Sequence, residues 1–144
     1  MINKEISIRR KFENDLKEII VRMLEIFQFN AEISKMIHGR SGIMHEIDIF
    51  AEKRDEPQIR LLIKYKSFME EDTLRLSDVL CFWAQILDIS ADQGIILTSC
   101  KVSESAAKFA EHHGIQILAS KRPNELKYKI LELESLIPKM LRHA

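Results

Sequence analysis

The segment from Ile59 to Lys66 contains the run Leu61-Leu62-Ile63, which is apolar on both faces of an extended chain. Because side chains alternate between the two faces of a strand, such a run predicts a central strand buried on both sides. A buried strand needs a packed layer against each face of its sheet. This one segment therefore restricts the chain to folds that cover both faces of a sheet.

The segments before the central strand predict a helix and two further strands. Apolar residues at helical spacing run from Phe12 to Phe27, and weak alternation follows from Ala31 to Ile37. Ile43 to Phe50 alternates more clearly and is joined to the central strand by a polar connection short enough for a hairpin. The first half therefore predicts an antiparallel hairpin preceded by a helix.

The second half of the chain alternates helices and strands. Its predicted elements are a helix from Leu74 to Leu87, a strand from Gly94 to Thr98, a helix from Glu104 to His113, a strand from Ile115 to Ala119 and a C-terminal helix over 123–142. This order favours parallel pairing through right-handed crossovers. We therefore predict an α/β fold, in which residues 1–144 form one three-layer domain. Its mixed central sheet combines the antiparallel hairpin with parallel strands, with helices on both faces.

The composition excludes several classes of protein. Hydrophobic residues make up 46% of the 144 residues and supply a core, yet no apolar run approaches the roughly 20 residues that span a bilayer. The charged N-terminus does not resemble a secretory signal, so no membrane partner is expected. Cys81 and Cys100 form neither a disulfide framework nor a metal site, and a reducing cytoplasm is the simplest expectation. The formal net charge of zero neither supports nor excludes binding to nucleic acid.

Two acidic and two basic residues share the predicted hairpin. Alternation places Glu46 and Asp48 together on one strand and Lys64 and Lys66 together on the other. Cross-strand neighbours on one face lie within about 5 Å of each other. Carboxylates can hold Mg²⁺ through oxygen ligands, and a nearby lysine can stabilise charge that develops on a phosphate. The same spacing also fits cross-strand salt bridges without a catalytic role, so both interpretations stay open.

Three segments together resemble the PD-(D/E)xK superfamily. GIMHEIDIFAEKRDEPQIRLLIKYKS is similar to the hairpin of that superfamily, and GIILTSCKVSESAAKFAEHHGIQIL resembles the matching segment of Mrr-type restriction endonucleases. KFENDLKEII resembles their first helix, which carries a glutamate near its start. The resemblance covers roughly residues 10–120 and lies in the order of three short motifs. It implies a restriction-endonuclease-like fold.

The resemblance also implies roles for individual residues. Asp48 matches the metal-binding aspartate of the family, Lys66 its catalytic lysine and Glu13 the helix glutamate. Glu46 matches an acidic residue that some relatives place just before the aspartate, so Asp48 and Glu46 are the implied Mg²⁺ ligands. Lys64 departs from the pattern, because the family has Glu, or Gln in Mrr-type members, at that position. A cation there removes a ligand and repels Mg²⁺.

The resemblance implies a DNA-binding protein that hydrolyses phosphodiesters with Mg²⁺ through a degenerate motif. The alternative is an inactive member that binds DNA or protein, and Lys64 motivates it. A doubly wound domain with a small-ligand site near Thr98 and Ser99 is a third interpretation, which lacks a glycine-rich phosphate loop. The broadly apolar helix from Leu74 to Leu87, together with the C-terminal helix, suggests a homodimer.

Overall fold

The computed structural model describes residues 2–55, 58–66, 72–120 and 123–142. Its helices are α1 (Ile2–Ile26), α2 (Leu76–Ile89), α3 (Glu104–His112) and α4 (Pro123–Arg142). Its strands are β1 (Asn30–His38), β2 (Met44–Lys53), β3 (Ile59–Lys66), β4 (Thr73–Leu74), β5 (Gln93–Thr98), β6 (Lys101–Val102) and β7 (Gln116–Ala119). The predicted order of helices and longer strands is confirmed, and the two short strands β4 and β6 are additional.

Five strands form one mixed sheet in the order β1-β2-β3-β5-β7. The pairs β1–β2 and β2–β3 are antiparallel, whereas β3–β5 and β5–β7 are parallel. β4 and β6 pair separately as a short parallel ladder. The mixed sheet that the alternation pattern predicts is therefore confirmed.

Two hydrophobic clusters cover the two faces of this sheet. Leu61 and Ile63 belong to the cluster that α1 and α4 complete, whereas Leu62 belongs to the cluster that α2 and α3 complete. All three side chains are fully buried. The run that is apolar on both faces thus contacts a helical layer on each side, as its sequence predicts.

The second helix begins later than its sequence suggests. Thr73 and Leu74 pair with Lys101 and Val102 as strands, so the prediction of a helix beginning at Leu74 is wrong. The backbone N–H of Arg75 donates to the carboxylate of Asp78 at 2.8 Å, which satisfies a donor at the start of the helix. α2 therefore runs from Leu76 to Ile89.

The turn between β1 and β2 is held against the C-terminal end of α2. The Asp88 carboxylate accepts hydrogen bonds from the backbone N–H of Ser41 at 2.9 Å and from its hydroxyl at 2.7 Å. Nε2 of His45 lies 2.7 Å from the same carboxylate. A Cβ atom at Gly39 would lie only 1.8 Å from Asp88 Oδ2, so the close approach requires glycine there. These contacts fix the start of β2, the strand that carries Glu46 and Asp48.

No helix in the described ranges combines the length and the apolar character that crossing a bilayer requires.

Candidate active site

Asp48 lies where the pairing of β2 with β3 ends. The ladder joins Lys53 through Ile49 to Ile59 through Ile63. Beyond its last pair, the backbone N–H of Tyr65 donates to Asp48 Oδ2 at 2.8 Å. The side chain of Asp48 thereby supplies an acceptor at the end of the ladder, which fixes its carboxylate there.

A change of face occurs at the same point of the hairpin. The alternation of side chains along a regular strand would place Ile47 and Ile49 on one face, but the structure places them on opposite faces. Ile49 packs in the cluster on the α1 side, whereas Ile47 packs in the cluster on the α2 side. Ser34, which lies between the residues paired with them, has a φ of 55°. A residue in the left-handed region breaks the regular pleat of β1, and Asp48 lies directly opposite this break.

A cavity of about 270 Å³ opens beside Asp48. It brings together three of the residues singled out from the sequence, which are Glu46, Asp48 and Lys64. Phe82 and Gln85 of α2 also line it, together with Ile47 and Ile63 of the two strands. Gln85 had no signal in the sequence beyond its place on a helix. The lining of the cavity therefore includes two acidic residues, a lysine and a glutamine.

Lys17 of α1 connects Glu13 to Asp48. Its Nζ lies 3.3 Å from Glu13 Oε1 and 3.7 Å from Asp48 Oδ1, and only 9% of its side chain is exposed. Sequence reasoning identified Glu13 but missed Lys17. The available signal was its place four residues after Glu13 and directly after the buried Leu16, on the edge of an apolar stripe.

The ammonium of Lys66 contacts the carboxylate of Asp78 on α2. Burial by itself raises the pKa of Asp78. The hydrogen bonds from Lys66 and from the backbone of Arg75, together with the charges of Lys66 and Lys64, outweigh that effect and hold the pKa below its usual value. Asp78 was missed from the sequence, where it stands out only as an acidic residue in the first turn of a helix. Helix α2 thus contributes an acidic partner to the basic strand β3.

Comparison with known families identifies the chain. A family model for the Mrr catalytic domain, described as restriction endonuclease, matches residues 10–126. This chain belongs to that restriction endonuclease family. The match includes all five residues singled out from the sequence, and it confirms the resemblance to Mrr-type enzymes. No protein with curated function matches the chain.

Three solved structures match this family member over most of its length. A protein of unknown function, AF1548, is 25% identical with a TM-score of 0.64, and the match covers 86% of this chain and 67% of that one. The restriction endonuclease MspJI, solved in complex with a 27-mer oligonucleotide, is 11% identical with a TM-score of 0.53. The modification-dependent restriction endonuclease AspBHI is 12% identical with a TM-score of 0.48. The chain matches over 92% of its length but spans only 32% of MspJI and 38% of AspBHI.

Restriction endonucleases of this family generally use divalent metal ions, and the residues present here fit such an ion poorly. Glu46 and Asp48 line one cavity, but one oxygen of Asp48 accepts the Tyr65 N–H and the other faces the Lys17 ammonium. Within the part of the chain that the structure describes, no three metal-ligating side chains converge on one point. Lys64 adds a positive charge to the same cavity.

Proposed function

We propose that this domain binds DNA at the cavity beside Asp48, with the Lys64 ammonium contacting a backbone phosphate. The observation that carries the proposal is the position of Lys64. It lines the cavity, and no described carboxylate lies within ion-pair distance of its ammonium. Membership in a family of restriction endonucleases supports DNA as the ligand. Lysine binds phosphate as a compact point charge.

Mg²⁺-dependent hydrolysis of DNA is the second candidate, and one observation favours it. Glu46 and Asp48 line the same cavity, and two carboxylates at one cavity are the kind of ligands that Mg²⁺ takes. In this candidate Lys66 stabilises charge on the phosphate and Glu13 supports Asp48. The contacts from Lys17 to Asp48 and from Lys66 to Asp78 favour binding without cleavage instead.

Two assays on the same preparation separate these candidates. If the domain only binds DNA, it should retain duplex DNA at low salt without Mg²⁺, and the retention should fall as the salt concentration rises. The same preparation should not nick plasmid DNA. Nicking that requires Mg²⁺ and is lost in Asp48→Asn would instead support the second candidate, Mg²⁺-dependent hydrolysis. Asparagine at position 48 keeps an acceptor for the Tyr65 N–H and removes only the charge. Absence of DNA retention at low salt rejects both candidates and leaves an interaction with protein.

We also propose that the domain forms a homodimer through α2. Leu80 is 38% exposed and Leu87 is 54% exposed on this helix, and Cys81 is exposed between them. Such apolar residues on an outer helix face support self-association. Light scattering that shows a monomer at high protein concentration rejects this proposal.

We also propose that residues 1–144 form one domain and that the protein is located in a reducing cytoplasm. Cys81 and Cys100 do not pair with each other, which is compatible with a reducing compartment. Limited proteolysis that yields two separately stable fragments would contradict the single domain. Fractionation that recovers the protein outside the cytoplasm would contradict the location.

A further inference from the structure

Two acidic residues of the candidate active site share one buried ammonium. Lys17 Nζ lies within 4 Å of both Glu13 and Asp48, and its side chain is almost completely shielded from solvent. Asp48 and Glu13 are themselves about one third exposed. The charge of Lys17 is therefore directed towards the two carboxylates, and it is too enclosed to serve as a general surface contact for DNA.

A divalent cation at Asp48 would compete with this ammonium. Mg²⁺ binds carboxylate oxygens at about 2.0–2.1 Å, which brings it close to any charge that already contacts the same carboxylate. Repulsion between a unit charge and a divalent ion about 4 Å apart lowers affinity on the order of thirtyfold even when screened as in bulk water. Lys17 thus opposes metal binding from the protein side, and Lys64 opposes it from the cavity side.

We propose that Lys17 takes the place of a divalent cation at Glu13 and Asp48, so that one of these two acidic charges is offset without metal. The same inference gives Lys64 a role, because a site without metal needs no carboxylate at that position and gains a phosphate contact from an ammonium. The relevance of this internal cation to DNA rests on the proposed function. The contact of Lys17 with the two carboxylates does not depend on the proposed function and can be tested on the protein alone.

The test uses Mn²⁺ as a probe, followed by calorimetry and by the electron paramagnetic resonance signal of the free ion. Wild-type protein should show no saturable binding beyond that of Asp48→Asn. Lys17→Met removes the charge, keeps a long unbranched side chain, and should raise Mn²⁺ affinity by at least about tenfold at low ionic strength. Lys17→Arg keeps the charge and should behave as wild type. In Lys17→Met/Asp48→Asn the gain should disappear.

Two results would overturn the inference. One is saturable Mn²⁺ binding by the wild type that Asp48→Asn abolishes. The other is a folded Lys17→Met variant that binds Mn²⁺ no more tightly than the wild type. If Lys17→Met does not fold, the comparison of wild type with Asp48→Asn still tests whether a divalent cation binds at Asp48 in the presence of Lys17. Because these titrations contain no DNA, failure of the protein to bind DNA would reject the proposed function and leave the result on Lys17 standing.

Discussion

The variant Lys64→Gln tests whether the cavity holds a phosphate. Glutamine keeps much of the length of the side chain and removes its charge from a position that lines the cavity beside Asp48. Each phosphate that a protein cation neutralises on duplex DNA contributes about 0.9 to the slope of log affinity against log salt. Loss of one contact should therefore reduce the magnitude of that slope by about 0.9. Across a fourfold rise in salt, this single contact accounts for a roughly 3.5-fold change in affinity.

Fluorescence anisotropy with two labelled duplexes of unrelated sequence measures this slope. Because the contact is to the backbone, the loss should be equal for both sequences. Lys129→Gln is the matched control, since it removes the same charge from α4, where the Lys129 side chain is 44% exposed and its ammonium pairs with Glu132. An unchanged slope in Lys64→Gln, or an equal reduction in Lys129→Gln, would refute the assignment of Lys64 to a phosphate.

Three further predictions concern the scaffold that positions the site. The hydrogen bond from His45 is the main reason that the pKa of Asp88 falls to about 2, so Asp88 stabilises the fold above its ordinary pKa near 3.8, and this contribution is lost as the pH falls towards 2. Asp88→Asn should therefore lower Tm at neutral pH, and its difference from wild type should shrink between pH 4 and 2 in thermal melts; a constant difference contradicts this. Gly94→Ala places a Cβ 2.3 Å from Ile86 Cδ1 and should cost about 1–3 kcal/mol in urea unfolding, a loss that Ile86→Val partly relieves; strictly additive effects would argue against the clash. Ser34→Val puts a β-branched residue at positive φ and should destabilise the protein by roughly 1–3 kcal/mol, whereas Ser34→Gly should be tolerated; equal stabilities of the two variants would show that φ at this position is unimportant.

The central sheet could be predicted from the sequence because its signals are local. The period of two identifies β2 and β3 without knowledge of the rest of the chain, and the run Leu61-Leu62-Ile63 indicates burial on both faces. The order of helices and strands then restricts the topology to a few choices. The order of the three motifs also predicted the family, and the match of the family model over residues 10–126 confirms it.

The partners of the charged residues could not be predicted in the same way. Lys17 and Asp78 reach β2 and β3 from two different helices, and neither contact has a signature in local spacing. The reversal of face between Ile47 and Ile49 lies opposite Ser34, which has a φ of 55° in the neighbouring strand, and a pattern read along one strand does not contain this feature. Period and propensity describe each element separately, whereas these features arise when elements meet.

The arrangement of charges explains why residue 64 cannot be considered alone. A carboxylate there would restore the pattern of the family on β3, but the Lys17 ammonium would remain at Asp48 and the Lys66 ammonium at Asp78. Each of these contacts offsets an acidic charge that would otherwise attract a cation, and Asp78 is held ionised partly by Lys64 itself. Replacing Lys64 by a carboxylate would leave Asp78 with one lysine fewer and place another negative charge beside it. Lys64 is thus compatible with the charged residues around it, because Lys17 and Lys66 already contact Asp48 and Asp78. This arrangement supports a site in which ammonium groups, rather than a metal ion, offset the acidic charges.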